Sequence, residues 1–144
     1  MKEKITFTKL PSSKDIEFLS NNLSNYAFEK KSLFPIESFA FFIHDENENT
    51  IGGINGHLFY GCLYIDQLFI LKEHRSKGLG KILMDKTEKH AMDNRCLFMS
   101  VNTMDWEAED FYKKCGFKVE FERKGFEKNS SMIFLRKDLH HGSK

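Results

Sequence analysis

Residues 68–83 constrain the fold most. The apolar run Leu68-Phe69-Ile70-Leu71 reads as the end of a strand, Lys72 to Lys77 as a basic loop, and Gly78 and Gly80 as the opening of an amphipathic helix over 79–93. A second apolar run, Cys96–Val101, follows at once and reads as a central strand buried on both faces. Strand, helix and strand in that order predict a right-handed crossover joining two parallel strands. The chain must therefore build a sheet with at least one parallel pair and cover it with a helix.

The remaining elements assemble around this unit. Ile5 and Phe7 alternate with threonines as a first strand, and Ser12 with Asp15 forms a capping box before a helix over about 13–27. Residues 28–36 read as either loop or a short second helix stopped near Pro35. Phe39–Ile43, Thr50–Tyr60 and Leu63–Leu71 read as strands, separated by the polar turn Asp45–Asn49 and by Gly61-Cys62. Gly52, Gly53 and Gly56 inside a strand predict a bulge or a close approach by another group. A helix over Asp105–Cys115 ends at Gly116, and strands at Phe117–Phe121 and Met132–Leu135 close the chain. The pattern is a mixed α/β sheet, antiparallel in its front half, in a single domain over 1–139 with a flexible tail at 140–144.

Composition narrows the function classes. Twenty-two Lys and Arg against 21 Asp and Glu give a net charge of +1, which argues against general nucleic-acid binding. Fifteen of the aromatic residues are Phe, expected to fill the core. Cys62, Cys96 and Cys115 stand in no C-x-x-C pair, so structural thiols in a reducing cytoplasm are the expectation. No apolar run reaches the roughly 18 residues that span a bilayer. The six histidines show no metal-ligand spacing, and the acidic turn at 45–49 lacks the glycine and terminal Glu of a calcium loop. No G-x-S-x-G elbow is present.

The chemistry concentrates at the glycine loop. A helix start offers unpaired backbone N–H groups and partial positive charge, and so attracts phosphate. Gly78 and Gly80 leave room for close approach, while Arg75, Lys77 and Lys81 add positive charge. Two nucleotide motifs fail by counting. A Walker A loop needs Gly at 75 and Ser or Thr at 82, where Arg75 and Ile82 stand. The Rossmann fingerprint needs a third glycine where Leu83 stands.

Arg75-x-x-Gly78-x-Gly80 after an apolar strand resembles the acetyl-CoA motif of the GNAT superfamily of N-acetyltransferases. Asp110-Phe111-Tyr112-Lys113-Lys114-Cys115-Gly116-Phe117 resembles that superfamily's second signature, a helix closed by glycine before a strand. Tyr64–Leu68 and Phe134–Leu139 are similar to a bacterial subgroup of small members. The resemblance implies a sheet of about six to seven mostly antiparallel strands, about four helices and a splayed parallel pair in the middle. It implies acetyl transfer from acetyl-CoA to a primary amine of a small molecule or protein by direct attack, without a metal. A non-catalytic CoA-binding sensor or interaction module is the alternative.

Site roles follow from the same resemblance. The backbone of Ser76, Lys77, Gly78, Leu79, Gly80 and Lys81, with Arg75, would take the pyrophosphate. Unpaired amides near Leu68, Phe69 and Ile70 would hold the pantetheine arm and acetyl carbonyl. Tyr112 matches the general acid, although its place on an apolar helix face also suits a core tyrosine. Asp66 is the first choice of base, with Tyr64 and His57 as rivals, and alternation puts Tyr64, Asp66 and Leu68 on one strand face. Asp105 stands where many members have Asn, and equally suits a helix N-cap. Glu107, Glu109 and Asp110 are favourable charges in a first helical turn. The expected partners are acetyl-CoA and an amine, with neither nucleic acid nor membrane, in the cytoplasm and as a possible homodimer.

Overall fold

The computed structural model describes residues 2–141, which divide into two compact units between Pro35 and Ile36. The expected tail lies partly outside this range. His141 Nε2 stands 2.6 Å from the Cys96 carbonyl oxygen, whereas residues 142–144 are not described.

The first unit is built on one helix, α1 (Ser13–Lys31). Its capping box forms as expected: Asp15 N donates to Ser12 Oγ (3.1 Å) and Ser12 N to Asp15 Oδ2 (3.2 Å). The helix runs past residue 27 to a left-handed Ser32, whose N–H donates to the Phe28 carbonyl, and Phe34 folds back towards Phe28. Residues 32–36 are irregular, so the short second helix is absent. The expected strand at Ile5–Phe7 does not form either. A strand needs a hydrogen-bonded neighbour, and this unit contains no other strand among the described residues.

The second unit carries β1 (Glu37–His44), β2 (Thr50–Phe59), β3 (Cys62–Ile70), α2 (Leu79–Asp93), β4 (Phe98–Met104), α3 (Glu109–Lys114), β5 (Lys118–Phe126) and β6 (Ser130–Asp138). The six strands form one sheet in the order β1-β2-β3-β4-β6-β5. Every pairing is antiparallel except β3 with β4, as the crossover required. The Asp45 carboxylate caps its own turn, accepting from Asn47 N and Asn49 N.

Two departures at the centre shape the site. The parallel pairing runs only from Cys62↔Phe98 to Ile65↔Val101, although β3 continues to Ile70 and β4 to Met104. The two strands therefore part. In the β2–β3 ladder Asn55 faces Gln67 and Gly56 faces Ile65, which leaves Asp66 as an extra residue, a β-bulge. The bulge reverses the alternation. Leu63 and Ile65 are fully buried, Asp66 and Gln67 both point outward, and Leu68 and Ile70 return to the core. Leu68 thus lies on the face opposite Tyr64, contrary to simple alternation. Gly56 permits this, because a Cβ there would overlap the Tyr64 carbonyl oxygen.

The core is aliphatic rather than aromatic. Ile54, Leu63, Ile65, Met84, Met99, Val101 and Leu135 are all no more than 1% exposed, each burial contributing about 1.5–3 kcal/mol. Only Phe39 and Phe117 among the phenylalanines are buried, while Phe42, Phe69 and Phe121 are exposed. Helix α2 covers the sheet with Leu83, Met84, Thr87 and Ala91, while Ile82 is exposed. Strand β4 begins at Phe98, and only Met99, Val101 and Thr103 are buried on it, so one face rather than both is closed.

Because the Gly56 contact is with backbone, it has no side-chain escape. Gly56→Ala should cost roughly 1–3 kcal/mol in urea unfolding; an unchanged midpoint would show that the bulge does not depend on this glycine.

Candidate active site

Where β3 and β4 part, a cleft of about 980 Å³ opens, at the upper end of the roughly 300–1,000 Å³ of small-molecule pockets. It brings together Asp66, Leu68, Phe69, Ile70, Arg75, Ser76, Gly78, Leu79, Gly80, Lys81 and Tyr112. Of the first-choice catalytic and cofactor residues expected from sequence, Lys77 alone is outside its lining and is exposed. The side of β3 facing β4 has no strand partner beyond Ile65.

The start of α2 forms one end. Gly78 caps the helix in the left-handed region at φ 80° with no side-chain cap, and the first backbone bond into the helix runs from Ile82 N to the Gly78 carbonyl. Among the described residues, the six consecutive amides of residues 76–81 donate to no protein acceptor. They are a ready anion site. The two glycines serve different needs. Gly78 is required for its backbone angle, since a Cβ would meet open space. Gly80 is required for packing, since its Cβ would stand 3.2 Å from the Phe111 ring.

The basic side chains are partly committed. Arg75 Nε donates to the Ile70 carbonyl (2.8 Å), and its guanidinium lies 5.1 Å from the Phe69 ring centroid, so it staples the loop to the end of β3. Lys81 pairs with Asp85 at 2.5 Å, which holds the ammonium charged and above its ordinary titration range.

Tyr112 sits on α3 with its ring 4% exposed, edge-on to Phe111 and Phe117. Its hydroxyl has no hydrogen-bond partner among the described residues. Burial, then the negative charge of Glu107, pushes the phenol well above the ordinary tyrosine range, so it stays protonated at neutral pH. Asp66 is exposed on the bulge and lines the same cleft. Tyr64 and His57 face each other across the β2–β3 ladder and lie outside the lining.

Helix α3 is shorter than its periodicity predicts, because residues 105–108 form turns. Asp105 is not its N-cap: Oδ1 accepts from Ser131 N and its own N–H donates to the Ser131 carbonyl, which ties β4 to β6. Glu107 precedes the first helical turn, where its Oε1 accepts from Met104 N. The cleft also contains Gln67, His74, Asn102, Thr103, Trp106, Glu107, Ala108 and Phe111, which sequence reasoning missed as site residues. The C-terminal ends of parallel strands are where open α/β sheets bind ligands, and that rule was the available pointer to Asn102 and Thr103.

A model of the acetyltransferase (GNAT) family matches residues 12–117. The chain belongs to this family. A blasticidin-S acetyltransferase from Streptomyces morookaense is 30% identical over 86 residues, 59% of this chain and 63% of that protein, so the match spans under two thirds of the relative. The crystal structure of a Bacillus cereus acetyltransferase superposes with a TM-score of 0.76 at 23% identity, covering 93% of this chain and 98% of that one. An aminoglycoside 6'-N-acetyltransferase complexed with coenzyme A gives 0.65 at 16% identity, covering 75% and 76%. At such identities the two structures establish a shared GNAT fold. Among the described residues no helix is long and apolar enough to cross a membrane.

The burial of the phenol in this GNAT cleft has a direct optical consequence. Phenolate absorbance of the wild type and of Tyr112→Phe should coincide up to about pH 11, one unit above the ordinary tyrosine value of about 10. Loss of titrating absorbance in the variant within that range would contradict the buried position.

Proposed function

We propose that the chain is an acetyl-CoA-dependent N-acetyltransferase that acetylates a primary amine by direct attack. The observation that carries this reading is the meeting, in one cleft, of a helix start whose amides at Ser76, Gly78, Leu79, Gly80 and Lys81 have no protein partner with a buried phenol whose hydroxyl has none among the described residues. The amides of residues 76–81 and Arg75 take the pyrophosphate. The unpaired edge of β3 at Leu68, Phe69 and Ile70 supplies backbone donors to the extended arm and to the acetyl carbonyl, where negative charge develops. Acetyl-CoA supplies an activated thioester.

Asp66 accepts the proton that the amine nitrogen loses as the new C–N bond forms. Tyr112 donates its proton to the sulfur as the C–S bond breaks. One proton enters the site and one leaves, so the products are an amide and free coenzyme A with no covalent enzyme intermediate. The raised pKa of Tyr112 suits this role, since the proton to be donated is held until a thiolate appears. The reading also fits the coenzyme A bound to the aminoglycoside 6'-N-acetyltransferase, and the shared family with the blasticidin-S enzyme. Three buried free cysteines suit a reducing cytoplasm.

Thiol release from acetyl-CoA across a panel of amines, with isothermal titration of coenzyme A, tests the proposal. Tyr112→Phe should lower kcat about 100-fold or more with coenzyme A affinity retained. Unchanged turnover removes Tyr112 from the mechanism, and tight coenzyme A binding without turnover replaces the enzyme by a binding module. No binding at millimolar coenzyme A overturns the reading.

A further inference from the structure

The end of β6 carries a charge where its pattern calls for an apolar residue. Ile133, Leu135 and Leu139 are buried, and Lys137 completes that alternate row. Its cross-strand neighbour, Met99 of β4, is wholly buried, so Lys137 starts from the core face of the sheet. The ammonium ends between two helices. Nζ donates to Glu88 Oε1 of α2 at 2.6 Å and to the carbonyl of Cys115, just past the last residue of α3, at 2.8 Å.

As an ion pair this contact contributes little, because the Lys137 and Glu88 side chains are still 24% and 33% exposed. Its consequence is geometric. A lysine nitrogen has three donors, so one ammonium holds an acidic side chain of one helix and a carbonyl of another in fixed relation. The segment it grips also holds Tyr112: Cys115 N and Phe117 N both donate to the Tyr112 carbonyl, at 3.1 and 3.0 Å. Gly116 makes room for the grip, since a Cβ there would stand 3.1 Å from Lys137 Cε. Helices α2 and α3 meet at a second place, where the Phe111 ring lies against Gly80. Gly80 and Glu88 are separated by about 12 Å along α2, at about 1.5 Å per residue. The Phe111 contact alone would let α3 pivot, and the distant grip of Lys137 removes that freedom.

We infer that Lys137 is a positioning residue for acetyl transfer: by clamping the end of α3 to α2 it fixes the Tyr112 hydroxyl relative to the α2 start that takes the cofactor. The inference rests on the acetyltransferase reading and adds to it a residue outside the cleft, one that acts through Tyr112. A proton donor works only within hydrogen-bond reach of its acceptor, and a misplacement of about 1 Å can cost about 100-fold in rate.

Lys137→Met keeps the apolar stem beside Met99 and removes the donor. In the full chain it should lower kcat about ten-fold or more, with the KM for acetyl-CoA and the coenzyme A affinity changed by less than about two-fold. The same substitution made in Tyr112→Phe should cost less than about two-fold, because the group it positions is gone. Equal fold losses in both backgrounds, or a loss carried by KM, overturn the inference. Glu88→Gln removes the charge of the anchoring side chain and should show the same split in smaller degree. If Lys137→Met lacks a cooperative urea transition, Glu88→Gln decides by the same comparison. In 3-fluorotyrosine-labelled protein, the 19F resonance lost in Tyr112→Phe should move in Lys137→Met and in Glu88→Gln, while that of Tyr60 stays in place. An unmoved Tyr112 resonance overturns the inference whether or not the chain turns over. A moved resonance in a chain that binds no coenzyme A leaves the clamp standing and overturns the acetyltransferase reading instead.

Discussion

The extra residue in β3 governs this molecule. Insertion of Asp66 opposite the Asn55–Gly56 step changes which side of the strand faces the core. Leu63 and Ile65 are buried before it, Leu68 and Ile70 pack inward after it, and Asp66 and Gln67 together face out. Bulges bend a strand and increase its twist, and the parallel pairing with β4 ends at Ile65, just before the bulge. The cleft is the volume left by that divergence. The edges of β3 and β4 form part of its wall, and loop residues 74–76, 78 and 106–108 with residues of α2 and α3 form the rest.

The rest of the site is hung from those two strand ends. Arg75 returns to the Ile70 carbonyl and fixes where the loop leaves β3. Left-handed Gly78 then turns the chain into α2, and Gly80 lets the Phe111 ring close against the helix start. Phe111 and Tyr112 are neighbours on α3, so the packing that brings Phe111 to α2 also sets the depth of the phenol. The far end of α3 is tied down by Lys137, whose Nζ donates to both Glu88 Oε1 (2.6 Å) and the Cys115 carbonyl (2.8 Å). Gly116, at φ 99°, lies against the end of that same lysine side chain. A helix of six residues has little stability of its own, and these contacts supply it.

Period and punctuation made much of this legible. Helix α2 begins and ends at the residues its pattern and glycines mark, and the strand–helix–strand order required the parallel pair. The strand glycines were read as a bulge or a close approach, and Gly56 and Gly53 are one of each. What stayed hidden depends on partners distant in sequence. Ile5 and Phe7 alternate as a strand would, yet among the described residues no strand pairs with them. Asp105 has the chemistry of an N-cap but is drawn to Ser131 of another strand, which shortens α3. The bulge defeats simple alternation, so Leu68 could not be placed on its face from β3 alone. Nothing local distinguishes a phenylalanine that fills the core from one that walls a cavity.

Charge shows why side-chain counting and site physics diverge. A chain of net charge +1 holds its basic loop residues in other duties: Arg75 to a carbonyl and a ring, Lys81 to Asp85, and Lys77 outside the cleft. What remains at the start of α2 is backbone: among the described residues, the amides of residues 76–81 donate to no protein acceptor. Such dipoles are fixed by the fold, carry no side-chain entropy to lose on binding, and do not titrate. An anion held this way would be recognised through geometry more than through net charge, so a net charge near zero is compatible with the proposed pyrophosphate site.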